Sequence, residues 1–151
     1  MLKTIFAIIL IFPISSFASS KCNISQFLKS EEGQQKLSQI SERSKSLIIS
    51  KLEEIGLEEK HIKINTIIPK KYQETIDKGL TIEILNGPKK FQISGERLTL
   101  SKMEYKIKEE GESVADEVCG LEVKFFGGKL FDKESGREIS LGRVKEFIRL
   151  N

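Results

Sequence analysis

The chain of 151 residues carries 25 Lys or Arg against 22 Asp or Glu, with 38% hydrophobic and 31% charged residues. That is enough apolar content for one core, and too even a charge balance for a dedicated nucleic-acid binder. The bases are 20 Lys and only 5 Arg, so few planar forks exist to read guanine or clamp phosphate, and without Trp the usual sugar-stacking platform is missing. Ile outnumbers Val 21 to 4, which with the Lys excess is the composition expected of an AT-rich bacterial genome.

The first twenty residues have the three-part layout of a secretory signal: Lys3, an apolar run from Ile5 to Ile14, then SSFASS. The run is too short to span a bilayer, which takes about 20 residues. Small residues place cleavage after Ala18 or after Ser20, leaving residues 21–151 as one α+β domain. Losing Lys3 leaves 24 bases against 22 acids, a net charge of +2. Bacterial lipoproteins carry a cysteine at this distance, preceded by an aliphatic residue three places back and a small one directly before it. Here Ser19 and Lys21 occupy those places, so Cys22 is not expected to carry lipid.

Cys22 and Cys119 are the only cysteines, and in an oxidising compartment their pairing is the expected outcome. A thiol nucleophile with His61, the single histidine, as its base is the rival reading. No Cys-x-x-Cys lowers a thiol pKa, and His61 lies in a charged strand start with no evident orienting partner.

From Ser30 a long amphipathic helix is predicted. Ser30 caps it, Glu31 and Glu32 suit its N-terminus, and Leu37, Ile40, Leu47, Ile48, Leu52 and Ile55 form its apolar face, with Gly56 as the stop. Asn23–Lys29 before it reads as a short helical turn. After Gly56 the period changes to two. Strands are predicted at 61–68, 80–85 and 91–94, with a short helix or turn at 70–79 and a hairpin around Asn86-Gly87. In 97–110, Leu98 and Leu100 share one parity while Met103, Tyr105 and Ile107 share the other, which predicts a bulge near Ser101 and Lys102. Leu121, Val123 and Phe125 alternate into Gly127-Gly128, read as a two-residue hairpin turn, and DKESG at 132–136 as a further turn. Residues 141–150 fit a short helix capped by Ser140, although VKEFIRL also tolerates a strand.

One helix on an antiparallel meander of about five to seven strands is the fold these elements build. In element order it resembles the cone-shaped α+β sheets of the cystatin and nuclear-transport type, a likeness of layout that implies no function.

Charge is uneven along the chain. Residues 60–108 hold 11 bases against 5 acids, whereas 109–122 hold six acids and no base. Lys60, Lys63, Lys70, Lys71, Lys89 and Lys90 form a candidate basic patch, weighed against lysines that merely protect strand edges. Glu109, Glu110, Glu112, Asp116 and Glu117 form a candidate acidic loop, but the order of a calcium loop is missing. There is no Gly-x-Ser-x-Gly, phosphate loop, His-Glu-x-x-His or Cys/His metal cluster. No cofactor is expected. The reading is therefore an exported, non-catalytic binding domain with an unknown protein or a surface polyanion as partner. The alternatives are an enzyme inhibitor acting through an exposed hairpin such as NGPK or FFGGKLF, and, at lower weight, an enzyme using surface carboxylates.

Overall fold

A computed structural model describes residues 22–85, 90–107 and 116–151. The expected signal segment, the Asn86-Gly87 turn and most of the acidic loop lie outside these residues. The architecture is α+β, as expected: helices α1 (Ile24–Lys29) and α2 (Glu31–Glu54), a 3-10 turn (Glu59–His61), and antiparallel strands β1 (Ile62–Thr66), β2 (Thr75–Ile76), β3 (Leu80–Ile84), β4 (Phe91–Ser94), β5 (Arg97–Ile107), β6 (Asp116–Phe126), β7 (Lys129–Asp132), β8 (Glu138–Ser140) and β9 (Arg143–Arg149).

Helix α2 begins where Ser30 accepts a hydrogen bond from the Gly33 amide at 3.0 Å, with Glu31 and Glu32 in the positive first turn. It ends in a left-handed Gly56 (φ 92°). The Gly56 amide donates to the Glu53 carbonyl at 3.0 Å and the Leu57 amide to the Leu52 carbonyl at 3.1 Å, a Schellman closure whose hydrophobic member, Leu57, is buried. The buried stripe is Leu37, Ile40, Ser41, Ser44, Ile48 and Leu52. Leu47, expected on that face, is 54% exposed. It lies about 100° around the helix from Ile48, and the stripe is completed by two serines that read as polar in the sequence. Ser41 Oγ hydrogen-bonds Thr66 Oγ1 on β1 at 2.7 Å.

The long strands carry the main departure from expectation. Ser94 pairs with Lys129 and Arg97 with Phe126; Lys129 pairs with Ser140 and Phe126 with Arg143. The register therefore runs unbroken from β4–β5 across β6–β7 to β8–β9, and these are three long strands, each bent once. The bend is a line of left-handed glycines, Gly95 (φ 80°), Gly128 (φ 76°) and Gly142 (φ 88°). Only glycine holds that conformation without strain. At the bend the buried parity switches, from Leu98 and Leu100 to Phe91 and Ile93, and from Phe125 to Leu130. Both limbs thereby feed one core: Leu130, Ile93 and Ile139 join Leu98, Leu121, Phe125 and the helix residues in a single cluster. The helix sits at the bend, where a Cβ on Gly127 would lie 3.1 Å from Ile48.

Gly127-Gly128 is thus a buried bend and not a hairpin turn, and FFGGKLF does not protrude. No bulge interrupts β5, whose register with β6 is constant from Arg97 to Ile107; Met103 and Tyr105 simply belong to the opposite sheet face. Residues 143–149 form strand β9 and not a helix, because central strand β6 offers a second edge that β9 completes. The 70–79 segment contains no helix. The segment is held along the edge of β5, where Thr75 and Ile76 pair with Thr99 and Leu98, the Leu100 amide donates to the Glu74 carbonyl at 2.8 Å and the Lys102 amide to the Tyr72 hydroxyl at 3.2 Å. Strands β3 and β4 do not pair with each other: β3 pairs with β1 and β4 with β7.

Candidate functional site

Helix α2 covers one face of the β2-β5-β6-β9 sheet. The strand register lists what stands on the other. Arg97, Phe126 and Arg143 form one row across β5, β6 and β9; Thr75, Thr99, Lys124 and Lys145 form the next; then come Ser101, Glu122 and Phe147, and finally Met103, Gly120 and Arg149. The face therefore has a cationic end and an aromatic end. A depression of about 340 Å³ at the cationic end is lined by Thr75, Arg97, Thr99, Lys124, Phe126 and Arg143.

Glu122 organises the lysines. It is 5% exposed, and its two carboxylate oxygens are held by Lys124 at 2.8 Å and Lys145 at 3.1 Å. The hydrogen bond from Lys124 keeps its carboxyl below the ordinary glutamate range; burial opposes that shift and Lys145 adds to it. One carboxylate thus anchors two ammonium groups and leaves their summed charge positive. Arg97 and Arg143 have no carboxylate within 4.0 Å among the described residues. Arg97 instead lies over the Phe126 ring, 5.1 Å from its centroid, an arrangement that fixes the guanidinium plane while leaving its N–H groups free to donate. Two guanidinium groups flanking an aromatic ring, with a lysine and two threonine hydroxyls beside them, can receive carboxylate, sulfate or phosphate oxygens.

At the aromatic end, Tyr105 is 47% and Phe147 42% exposed, with ring centroids 6.5 Å apart. Phe147 lies over Gly120, where a Cβ would run into the ring and would stand 2.9 Å from the Ile148 carbonyl oxygen.

The residues singled out in the sequence lie elsewhere. Lys60 pairs with Glu58 at 2.7 Å, Lys63 approaches Glu83 at 3.9 Å and Lys90 pairs with Glu134 at 3.3 Å. Lys70 and Lys71 are exposed in the loop after β1, and Lys89 lies outside the described residues. Three of the six lysines of that patch therefore spend their charge on local carboxylates. Of the acidic set, Glu109, Glu110 and Glu112 lie outside the described residues, Asp116 opens β6, and Glu117 is exposed and pairs with Lys106 at 3.4 Å. Asp132 begins the β7–β8 turn, accepting from the Glu134 amide at 3.0 Å. Although burial pushes its carboxyl up, hydrogen bonds from the Glu134 and Ser135 amides and nearby Lys90 hold it below the ordinary value.

Sγ of Cys22 and Sγ of Cys119 are bonded at 1.99 Å, with Cα atoms 5.2 Å apart. Cys119 is on the core side of β6, and its carbonyl accepts from the Leu150 amide at 2.9 Å. The bond pins the start of α1 to the central strand. Among the described residues no helix is long and apolar enough to cross a membrane, and no group of three or more His, Cys, Asp or Glu could hold a metal ion.

The sequence signal for the cationic face is period-two charge, with Glu122 and Lys124 on β6 and Arg143, Lys145 and Arg149 on β9. It disappears when 141–150 is read as a helix. No family model matches the chain, and no curated protein or solved structure matches it either.

Proposed function

We propose that the chain is a small exported, non-catalytic binding domain that takes an anionic partner on the outer face of its bent sheet. The observation that carries this reading is the pair of arginines, Arg97 and Arg143, flanking Phe126 in one depression with Lys124. An arginine pair with no carboxylate within 4.0 Å among the described residues, held at fixed spacing by a hydrogen-bonded sheet, is preorganised for a ligand that supplies the negative charge. Export is supported by the Cys22–Cys119 bond, which is compatible with an oxidising compartment, and by the signal-like layout of the first twenty residues.

Fluorescence anisotropy with labelled hexaglutamate tests the reading. Binding is expected at low ionic strength and should weaken as salt screens it. Arg97→Ala with Arg143→Ala should remove about 2 kcal/mol, roughly thirtyfold in Kd, whereas Lys70→Ala with Lys71→Ala should change little. Equal losses in the two double variants would remove the outer face from the account.

A further inference from the structure

Strand β9 ends the sheet order on its side, and the direction of its backbone groups follows from two bonds. The Leu150 amide donates to the Cys119 carbonyl and the Gly127 amide to the Gly142 carbonyl. In an antiparallel ladder the bonded positions alternate, so even-numbered residues of β9 face β6. The N–H and C=O groups of Arg143, Lys145, Phe147 and Arg149 therefore point to an edge that no strand covers among the described residues.

The two sides of that edge differ. Outward stand the side chains of Arg143, Lys145 and Arg149. On the core side, a notch of about 100 Å³ opens between α2 and β9, lined among others by Ser44, Leu47, Ile48, Lys51, Leu141 and Val144. The Arg43–Glu146 ion pair, at 2.9 Å, crosses from α2 to β9 one core-side position beyond Val144. The Ser44 hydroxyl is buried in the lining without a hydrogen-bond partner among the described residues, and Leu47 stands 54% exposed at the rim. A cavity of about 150 Å³ accepts a benzene ring, so this smaller notch suits one branched aliphatic side chain.

We propose that the free edge of β9 accepts an extended acidic segment of a partner protein, which joins the sheet as a further strand. Its backbone completes the outward groups of Arg143, Lys145, Phe147 and Arg149. Alternate acidic residues meet the cations of the outer face, and an apolar residue between them enters the notch beside Val144. Strand addition of this kind draws affinity from main-chain hydrogen bonds and specificity from pockets for alternate side chains. The proposal rests on the anionic-partner reading and adds the partner's conformation and its place. The rival account is that cations on β9 only protect the edge from pairing.

The probe is an end-blocked octapeptide of alternating Glu and Val, compared with dextran sulfate, which carries charge but no peptide groups. Amides of Arg143, Lys145, Phe147 and Arg149 should exchange quickly in the free protein and become protected when the octapeptide binds. Lys145→Pro deletes one outward N–H without touching the β6–β9 ladder, and Lys145→Ala removes the charge alone. The proline variant should bind the octapeptide about five- to tenfold more weakly than the alanine variant, while the two bind dextran sulfate equally. Equal octapeptide affinities, or β9 amides already protected in the free protein, would overturn strand addition. If dextran sulfate still binds through Arg97 and Arg143 in that case, the anionic-partner reading survives; if it does not, both fail.

Discussion

Substituting Gly128 with alanine tests the bent sheet that presents the cationic face. Gly128 has φ 76°, where an L-residue pays about 1 to 2 kcal/mol. An added Cβ would also stand 2.7 Å from the Glu96 nitrogen and 2.9 Å from the Gly95 carbonyl carbon, closer than real Cβ contacts. Those atoms belong to the neighbouring strand and are held by pairing on both sides of the bend, so they cannot move aside cheaply. Overpacking of this kind adds about 2 kcal/mol. The total of about 3 to 4 kcal/mol corresponds to a fall in Tm of roughly 10 to 15 °C for a domain of this size. Gly136 provides the control: its φ is 69°, yet an added Cβ meets nothing within 4 Å, so Gly136→Ala should lose only the conformational part, about 1 to 2 kcal/mol. Thermal and urea unfolding of the two variants measure the difference. Equal destabilisation would mean that the strands do not cross at Gly128 as described.

Two serines on α2 should respond with opposite signs in urea unfolding. Ser41→Ala loses the bond to Thr66 and should cost about 1 kcal/mol, whereas Ser44→Ala removes a buried hydroxyl without a partner among the described residues and should be neutral or stabilising by up to about 1 kcal/mol. Replacing Cys22 and Cys119 by serine opens a loop with a sequence separation of 97 and should cost on the order of 4 to 5 kcal/mol; an unchanged melting temperature would refute that staple, as would two free thiols in the mass spectrum. Glu122 has a folded-state pKa below the ordinary value of 4.5, so its ion pairs contribute fully above that value and are lost as pH falls through the folded pKa. Acid titration of Glu122→Gln should show less loss of stability below pH 4.5 than the unsubstituted chain. The same variant releases Lys124 and Lys145 and should bind hexaglutamate more tightly, by about tenfold.

Local signals in the chain were sufficient for the long helix, most strand positions and the pairing of the cysteines. Ser30, the acidic first turn and Gly56 are chemical end-markers that act within a few residues. The bend was not legible because a left-handed glycine reads alike in a hairpin turn and in a strand that changes direction. What distinguishes Gly128 is its place opposite Gly95 on one neighbouring strand and one residue from the position opposite Gly142 on the other, which is a property of pairing. The 141–150 segment was ambiguous because Val144 and Ile148, four residues apart, satisfy both a helical and a strand period, and the open edge of β6 settled it. The cationic site followed from that choice: Arg97, Lys124 and Arg143 come from three strands and form no motif in any one of them. The described candidate lysines, clustered in sequence, are spread over the 3-10 turn (Lys60), β1 (Lys63), the loop after it (Lys70 and Lys71) and the turn before β4 (Lys90).

Amide chemical-shift mapping of the labelled protein with hexaglutamate tests the central claim most directly. The account predicts shifts at Arg97, Thr99, Lys124, Phe126 and Arg143, with Lys60, Lys63, Lys70 and Lys71 unmoved. Shifts confined to those four lysines, or none on β5, β6 and β9, would contradict it.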